Sequence, residues 1–102
     1  MEICARRQGD VLYVFLSGEL DEHAAANARR KIDGLLGEYA VVKKAVFDLS
    51  GVSFMDSTGI GFLLGRYKYF QRFGIPVYIT NPGRETDKIL TMGGIYTLLP
   101  KL

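Results

Sequence analysis

Asp56, Ser57 and Thr58 set a carboxylate and two hydroxyls in consecutive positions ahead of Gly59, at the point where the hydrophobic spacing changes period. Upstream, Ala45 to Leu49 is a short apolar, β-prone run broken by Asp48; downstream, Ile60, Leu63, Leu64 and Tyr67 recur at helical spacing. A strand gives way to a helix here. Either Asp56 or Ser57 can cap that helix, a side-chain oxygen accepting from a free backbone N–H of the first turn. A hydroxyl in this place has a second chemistry. The unpaired N–H groups and the positive end of the helix dipole favour negative charge, so a phosphate on Ser57 is tolerated locally and Ser57 is a candidate switch.

Other chemistries ask for more than the stretch supplies. The half-site of a dimeric aspartic protease carries Asp-Thr-Gly or Asp-Ser-Gly on a turn between strands; Asp56-Ser57-Thr58-Gly59 is one residue too long and opens a helix. A serine hydrolase needs a base, and the one histidine, His23, is expected to be exposed in the first turn of the first helix. Gly59, Gly61 and Gly65 echo a dinucleotide-binding loop, but in those loops the first glycine turns directly after the strand, and here Ser50 to Asp56 are expected to intervene. A glycine inside a helix costs about 1 kcal/mol against alanine, so Gly61 and Gly65 are better explained by close packing or by the approach of a partner. One Cys and one His leave no metal-ligand spacing. Asp48 in a strand and Asp56 at a cap are too separated in role to form a carboxylate dyad.

The elements that must position these residues follow in order. Ile3–Arg7 and Val11–Leu16 flank Gln8-Gly9-Asp10, a hairpin signal. The second run is apolar without alternation, which predicts a central strand covered on both faces. Ser17-Gly18-Glu19-Leu20-Asp21 is expected to leave the sheet, with Asp21 capping a helix whose Ala25, Ala28, Ile32, Leu35 and Leu36 form one stripe, and Asn27, Arg30, Lys31, Asp33 and Glu38 the opposite face. After the central motif a second helix runs to about Phe73, stopped by Gly74 and Pro76. With Ile60, Leu63, Tyr67 and Phe70 inward, Thr58, Phe62, Arg66 and Tyr69 fall towards the other side, an aromatic and arginine strip of the kind that anchors interfaces unless it folds back on the core. Val77 to Thr80 is a fourth strand, Arg84 to Met92 a third helix, and Ile95 to Leu102 a tail with a brief extended piece.

Two strands followed by strand–helix units predict an α/β fold, a mixed β-sheet of about four strands with an N-terminal hairpin and three helices, joined by right-handed crossovers. If the later strands are parallel, the loops after the second and third strands leave the same sheet edge, and Asp21, His23, Asp56 and Ser57 share one rim.

At 102 residues, 48% hydrophobic and 24% charged, the chain reads as one soluble domain spanning 1–102. A formal charge of +2 with scattered basic residues demands neither nucleic acid nor an anionic membrane. The N-terminus lacks signal-peptide organisation, and no apolar run approaches bilayer length. The single Cys4 can form no internal disulfide, which fits a reducing cytoplasm.

Phe54-Met55-Asp56-Ser57-Thr58-Gly59-Ile60-Gly61, continued by Leu63-Leu64-Gly65-Arg66-Tyr67-Lys68, closely resembles the anti-sigma factor antagonists, small bacterial proteins built on the STAS domain, and the sporulation type most of all. Gly18-Glu19-Leu20-Asp21 lies upstream where that family carries a similar segment. The resemblance implies a STAS fold and a cytoplasmic, non-enzymatic protein that binds an anti-sigma factor and so frees a sigma factor. It implies that Ser57 is phosphorylated by that partner, itself a serine kinase and the user of ATP, and that a serine phosphatase reverses the step. It further implies partner contacts at Asp21, Asp56, Thr58, Gly59 and Phe62, with no cofactor, metal, membrane or direct nucleic-acid contact of the chain's own. The resemblance implies a pattern that usually runs on into a further C-terminal helix, which these 102 residues are not expected to form. The alternative is a STAS module of a larger signalling or transporter-associated assembly, sensing a small molecule or nucleotide on the same rim.

Overall fold

A computed structural model describes residues 1–38 and 41–102. Four strands, β1 (Glu2–Gln8), β2 (Val11–Leu20), β3 (Lys44–Met55) and β4 (Val77–Thr80), form one sheet in that order. Helix α1 (Glu22–Leu35) connects β2 to β3, α2 (Ser57–Gln71) connects β3 to β4, and α3 (Arg84–Met92) follows β4. β1 and β2 are antiparallel, with Gln8 opposite Val11 across the two-residue turn Gly9-Asp10. β2 with β3 and β3 with β4 are parallel. The expected mixed sheet with an N-terminal hairpin and three helices is therefore found.

The core lies on one face of the sheet. Leu12, Val14 and Leu16 of β2, Ala45, Phe47 and Leu49 of β3, and Val77 and Ile79 of β4 are buried. They form one cluster with Ala28 and Ile32 of α1, Leu63 and Phe70 of α2, and Leu90 of α3. Phe47 and Phe70 meet edge-to-face with ring centroids 5.7 Å apart, a geometry worth about 0.5–1.5 kcal/mol beyond the area it buries. The expectation that β2 is covered on both faces fails. Its alternate residues Tyr13 and Phe15 are only part-buried, and the shallow depression beside them is lined by strand residues and Asn81, with no helix residue. The strand is apolar throughout because aromatic neighbours shield one another across this open face: Tyr13 pairs with Val46, which in turn pairs with Tyr78.

A second correction concerns length. Ser17 to Leu20 does not leave the sheet but continues β2, pairing with Gly51 to Met55 of a β3 that also outruns its predicted end at Leu49. The register slips between Phe15 and Ser17 and again between Gly18 and Glu19. Gly18 has φ +106, a conformation that side chains disfavour. Any Cβ on Gly51 would come within 2.5 Å of the Ser17 hydroxyl, so the irregular ladder needs both glycines. Polar and glycine-rich, this stretch carries the composition of a turn while making the hydrogen bonds of a strand.

Asp48 ties β3 to the end of β4, accepting from the Ser50 N–H at 2.9 Å and the Asn81 side-chain amide at 3.1 Å. Burial pushes its carboxyl up, but those hydrogen bonds outweigh it and hold the group below its ordinary value. The tail turns through a 3₁₀ segment, Ile95–Thr97, then lies along β4. There the Ile79 N–H donates to the Pro100 carbonyl at 2.9 Å, and the Leu102 N–H to the Ile79 carbonyl at 2.8 Å.

Because Phe70 is fully buried and has the Phe47 edge contact, Phe70→Ala is expected to lower stability by about 3–5 kcal/mol in urea unfolding. A loss below about 1 kcal/mol would show that α2 can close over the vacated space.

Candidate functional site

Leu20 and Met55, the last residues of β2 and β3, are partners in the parallel ladder. The residue after each is an aspartate that caps a helix. Asp21 Oδ1 accepts from the N–H groups of His23 at 3.1 Å and Ala24 at 3.0 Å. Asp56 Oδ1 accepts from the Thr58 N–H at 2.9 Å. Two adjacent strands thus deliver two acidic caps and two helix N-termini to one rim, as a shared sheet edge requires.

Ser57 is the first residue of α2 and is exposed. Between Asp56 and Ser57, the structure gives the cap to Asp56, and the Ser57 hydroxyl makes no hydrogen bond among the described residues. Thr58 is half-buried. Gly59 is buried with its α-carbon against the Met55 side chain, where any Cβ would collide with Met55 Cγ. The joint between β3 and α2 is Asp56 alone, so the seven residues expected to separate strand from helix belong to the strand, apart from Asp56 itself.

Phe62 does not lie on an outward strip. It is 6% exposed and buried with Gly59, Leu63, Arg66 and Phe70, because α2 packs against α1 as well as the sheet, and the strip of Thr58, Phe62 and Arg66 faces α1. Arg66, also 6% exposed, stacks over the Phe62 ring at 5.4 Å and brings Nε to 2.7 Å from Asp33 Oδ1. Asp33, placed by its spacing on the solvent face of α1, therefore turns towards α2. The two atoms are in ionic contact without a well-aligned hydrogen bond, and neither has another partner among the described residues. Burial pushes Asp33 up and Arg66 down, in each case against the pull of the other charge. Desolvation thus outweighs attraction within the pair.

Phe54, 47% exposed just ahead of the rim, is a surface apolar residue that sequence reasoning missed. Its neighbour Met55 is buried, and with the ladder irregular here no alternation in the sequence distinguishes the two. His23 is exposed, its Nδ1 3.9 Å from Asp21 Oδ2, and it lines no depression that Ser57 also lines among those described. No cluster of three or more His, Cys, Asp or Glu residues suited to a metal ion occurs among the described residues. Nor is any described helix long and apolar enough to cross a membrane.

Comparison with known proteins agrees with this geometry. The STAS domain family model matches residues 2–101. An anti-sigma F factor antagonist of Paenibacillus polymyxa is 33% identical over 90 residues, 88% of this chain and 76% of that protein. One from Lysinibacillus sphaericus is 31% identical over 86 residues, 84% and 73% of the two chains. Among solved structures, the anti-sigma factor antagonist SpoIIAA in its unphosphorylated form superposes with a TM-score of 0.77 at 25% identity, covering 99% of this chain and 88% of its own.

Two stability experiments test the helix packing. An added Cβ meets Met55 at Gly59 but nothing within 4 Å at Gly61. Gly59→Ala should therefore destabilise by about 1–3 kcal/mol through overpacking, and Gly61→Ala should stabilise by about 1 kcal/mol through helix propensity; thermal melts showing the same sign for both would contradict this placement. For the ion pair, Arg66→Met strands the Asp33 carboxylate and is expected to cost about 3 kcal/mol, while the double variant Asp33→Leu/Arg66→Met returns to within about 1 kcal/mol of wild type in urea unfolding. A double variant as unstable as the single one would show the pair to be a net source of stability.

Proposed function

The chain belongs to the STAS domain family, and from that premise we propose that it is an anti-sigma factor antagonist, with Ser57 as its phosphoacceptor. The unmodified form binds an anti-sigma factor that is also a serine kinase and thereby releases a sigma factor. Phosphorylation of Ser57 by that partner, which uses ATP, ends the binding, and a serine phosphatase restores it. The protein acts by binding and is no enzyme; it works in the cytoplasm, without a cofactor, metal or nucleic-acid contact of its own.

One observation carries this reading: Asp56 takes over the cap, leaving at the first position of α2 an exposed Ser57 hydroxyl with no hydrogen bond among the described residues. A kinase can reach this hydroxyl without dismantling the helix. The similarity to named antagonists of the sigma F type supports the same assignment. Asp21, Asp56 and Thr58 form the surface around Ser57 that the partner contacts, while Gly59, buried against Met55, seats the helix start beneath it and is not itself a contact. Phe62, buried against α1, supports that surface from behind.

The switch works through charge. A phosphate adds about −1.5 to −2 at neutral pH, and the positive end of the α2 dipole lies beside it, so the isolated fold survives modification. In the complex, the same dianion is placed next to Asp56 and near Asp21 at the centre of contact. A loss of about 3 kcal/mol there weakens affinity more than a hundredfold.

The test is incubation with ATP and each purified anti-sigma factor of the source organism, followed by intact mass and peptide mapping. A phosphate-sized gain at Ser57 is expected. Ser57→Ala should bind persistently and resist the kinase, whereas Ser57→Asp should bind poorly with an unchanged circular dichroism spectrum. Phosphate on Thr58 with Ser57 unmodified overturns the residue assignment. Equal affinity of the phosphorylated and unmodified proteins overturns the switch, and binding of a small ligand with no phosphoacceptor favours a sensing module in a larger assembly.

A further inference from the structure

Beside the rim, a groove of about 500 Å³ runs between α1 and α2. Its walls are small on both sides, with Ala25 and Ala26 on α1 and Gly61 and Gly65 on α2, and it carries two cations, Arg29 and Arg66. The glycines have no explanation inside the fold. Both lie within a helix, where glycine is unfavourable, and a Cβ on either would meet nothing within 4 Å. Close packing, which accounts for Gly59 against Met55, is therefore ruled out for these two. What remains is the approach of something outside this chain.

Arg66 says what that is. It is almost fully buried, yet among the described residues its guanidinium has one ionic contact, to Asp33, and no aligned hydrogen bond. A guanidinium presents five N–H donors in a fixed fork suited to a carboxylate. Arg29 adds a second positive charge close enough to repel Arg66, so Asp33 leaves the groove with an excess of positive charge. Thr58, the neighbour of Ser57, lines the end of the groove, making it continuous with the rim.

We propose that this groove is the second half of the partner surface: it receives a narrow segment of the anti-sigma factor bearing an acidic side chain, which enters over Gly61 and Gly65 and is held by Arg66 and Arg29. The proposal rests on the antagonist reading above. It gives the partner two requirements of different kinds, an unmodified Ser57 and an acidic anchor.

The experiment uses the anti-sigma factor that phosphorylates this chain, with affinity measured by calorimetry on Gly65→Leu, which fills the groove, Arg29→Glu, which reverses its exposed charge, and the double variant Asp33→Leu/Arg66→Met. Each is expected to lose about tenfold or more in affinity, the equivalent of one anchoring contact. Arg29→Glu should also flatten the dependence on salt. Wild-type affinity in Gly65→Leu and Arg29→Glu overturns the groove assignment and leaves the Ser57 switch standing, whereas wild-type protein that neither binds nor is phosphorylated overturns both. Concentration-dependent dimerisation of the wild type that Gly65→Leu abolishes assigns the groove to a second copy of this chain instead. A shift of the Arg66 Nε–H resonance on adding millimolar inorganic phosphate to the isolated protein assigns it to a small anion, and either result overturns the proposal.

Discussion

The parallel ladder between β2 and β3 is the constraint on which everything else depends. It runs past the body of the sheet to Leu20 and Met55, and because both strands end level, Asp21 and Asp56 emerge side by side. Neither cap could find the other by local sequence. The irregular stretch around Gly18 and Gly51 lets the strands stay paired over that last portion despite two slips of register. The rim is thus a product of backbone hydrogen bonding, with side chains recruited to an edge the ladder has already set.

Behind the rim, α1 and α2 are held by two unlike devices. Apolar burial against the sheet fixes how far they stand from it, through Ala28 and Ile32 on one helix and Leu63 and Phe70 on the other. Between the helices, the contact is ionic and aromatic, Asp33 to Arg66 and Arg66 over Phe62. A pair whose desolvation outweighs its attraction contributes little net stability. In the observed setting of α2, Arg66 lies over Phe62 as it reaches Asp33. That setting also turns Ser57 to solvent.

Much of the architecture was legible because the periodic elements are unambiguous. The hairpin around Gly9, the fourth strand and the third helix lie where spacing and turn residues put them. The rim was legible as well, from the order of strands and crossovers and from an aspartate ahead of each helix. Three things were not. Ser17 to Leu20 has the composition of a turn, and only the partner strand makes it a strand. Asp33 was turned outward, and Phe62 left open between an outward strip and the core, because a single-stripe reading of a helix assumes one packing surface, whereas α1 and α2 each pack on the sheet and on one another. The full apolar run of β2 suggested two covers, but the mutual shielding of Tyr13, Val46 and Tyr78 across strands keeps it apolar with one. In each case the deciding contact lies between segments far apart in the chain, which a local window does not contain.

The tail has a consequence for the protein's behaviour in a crowded solution. By pairing with Ile79 at Pro100 and Leu102, it occupies hydrogen-bonding groups on the outer edge of β4, where another chain's strand could otherwise add. Among the described strands, the other boundary is β1, exposed over much of its length and charged at Glu2, Arg6 and Arg7. Charge on an exposed edge opposes the stacking of identical copies. One border is therefore partly occupied by the chain's own backbone, at Ile79, and the other carries charge that opposes edge-to-edge pairing.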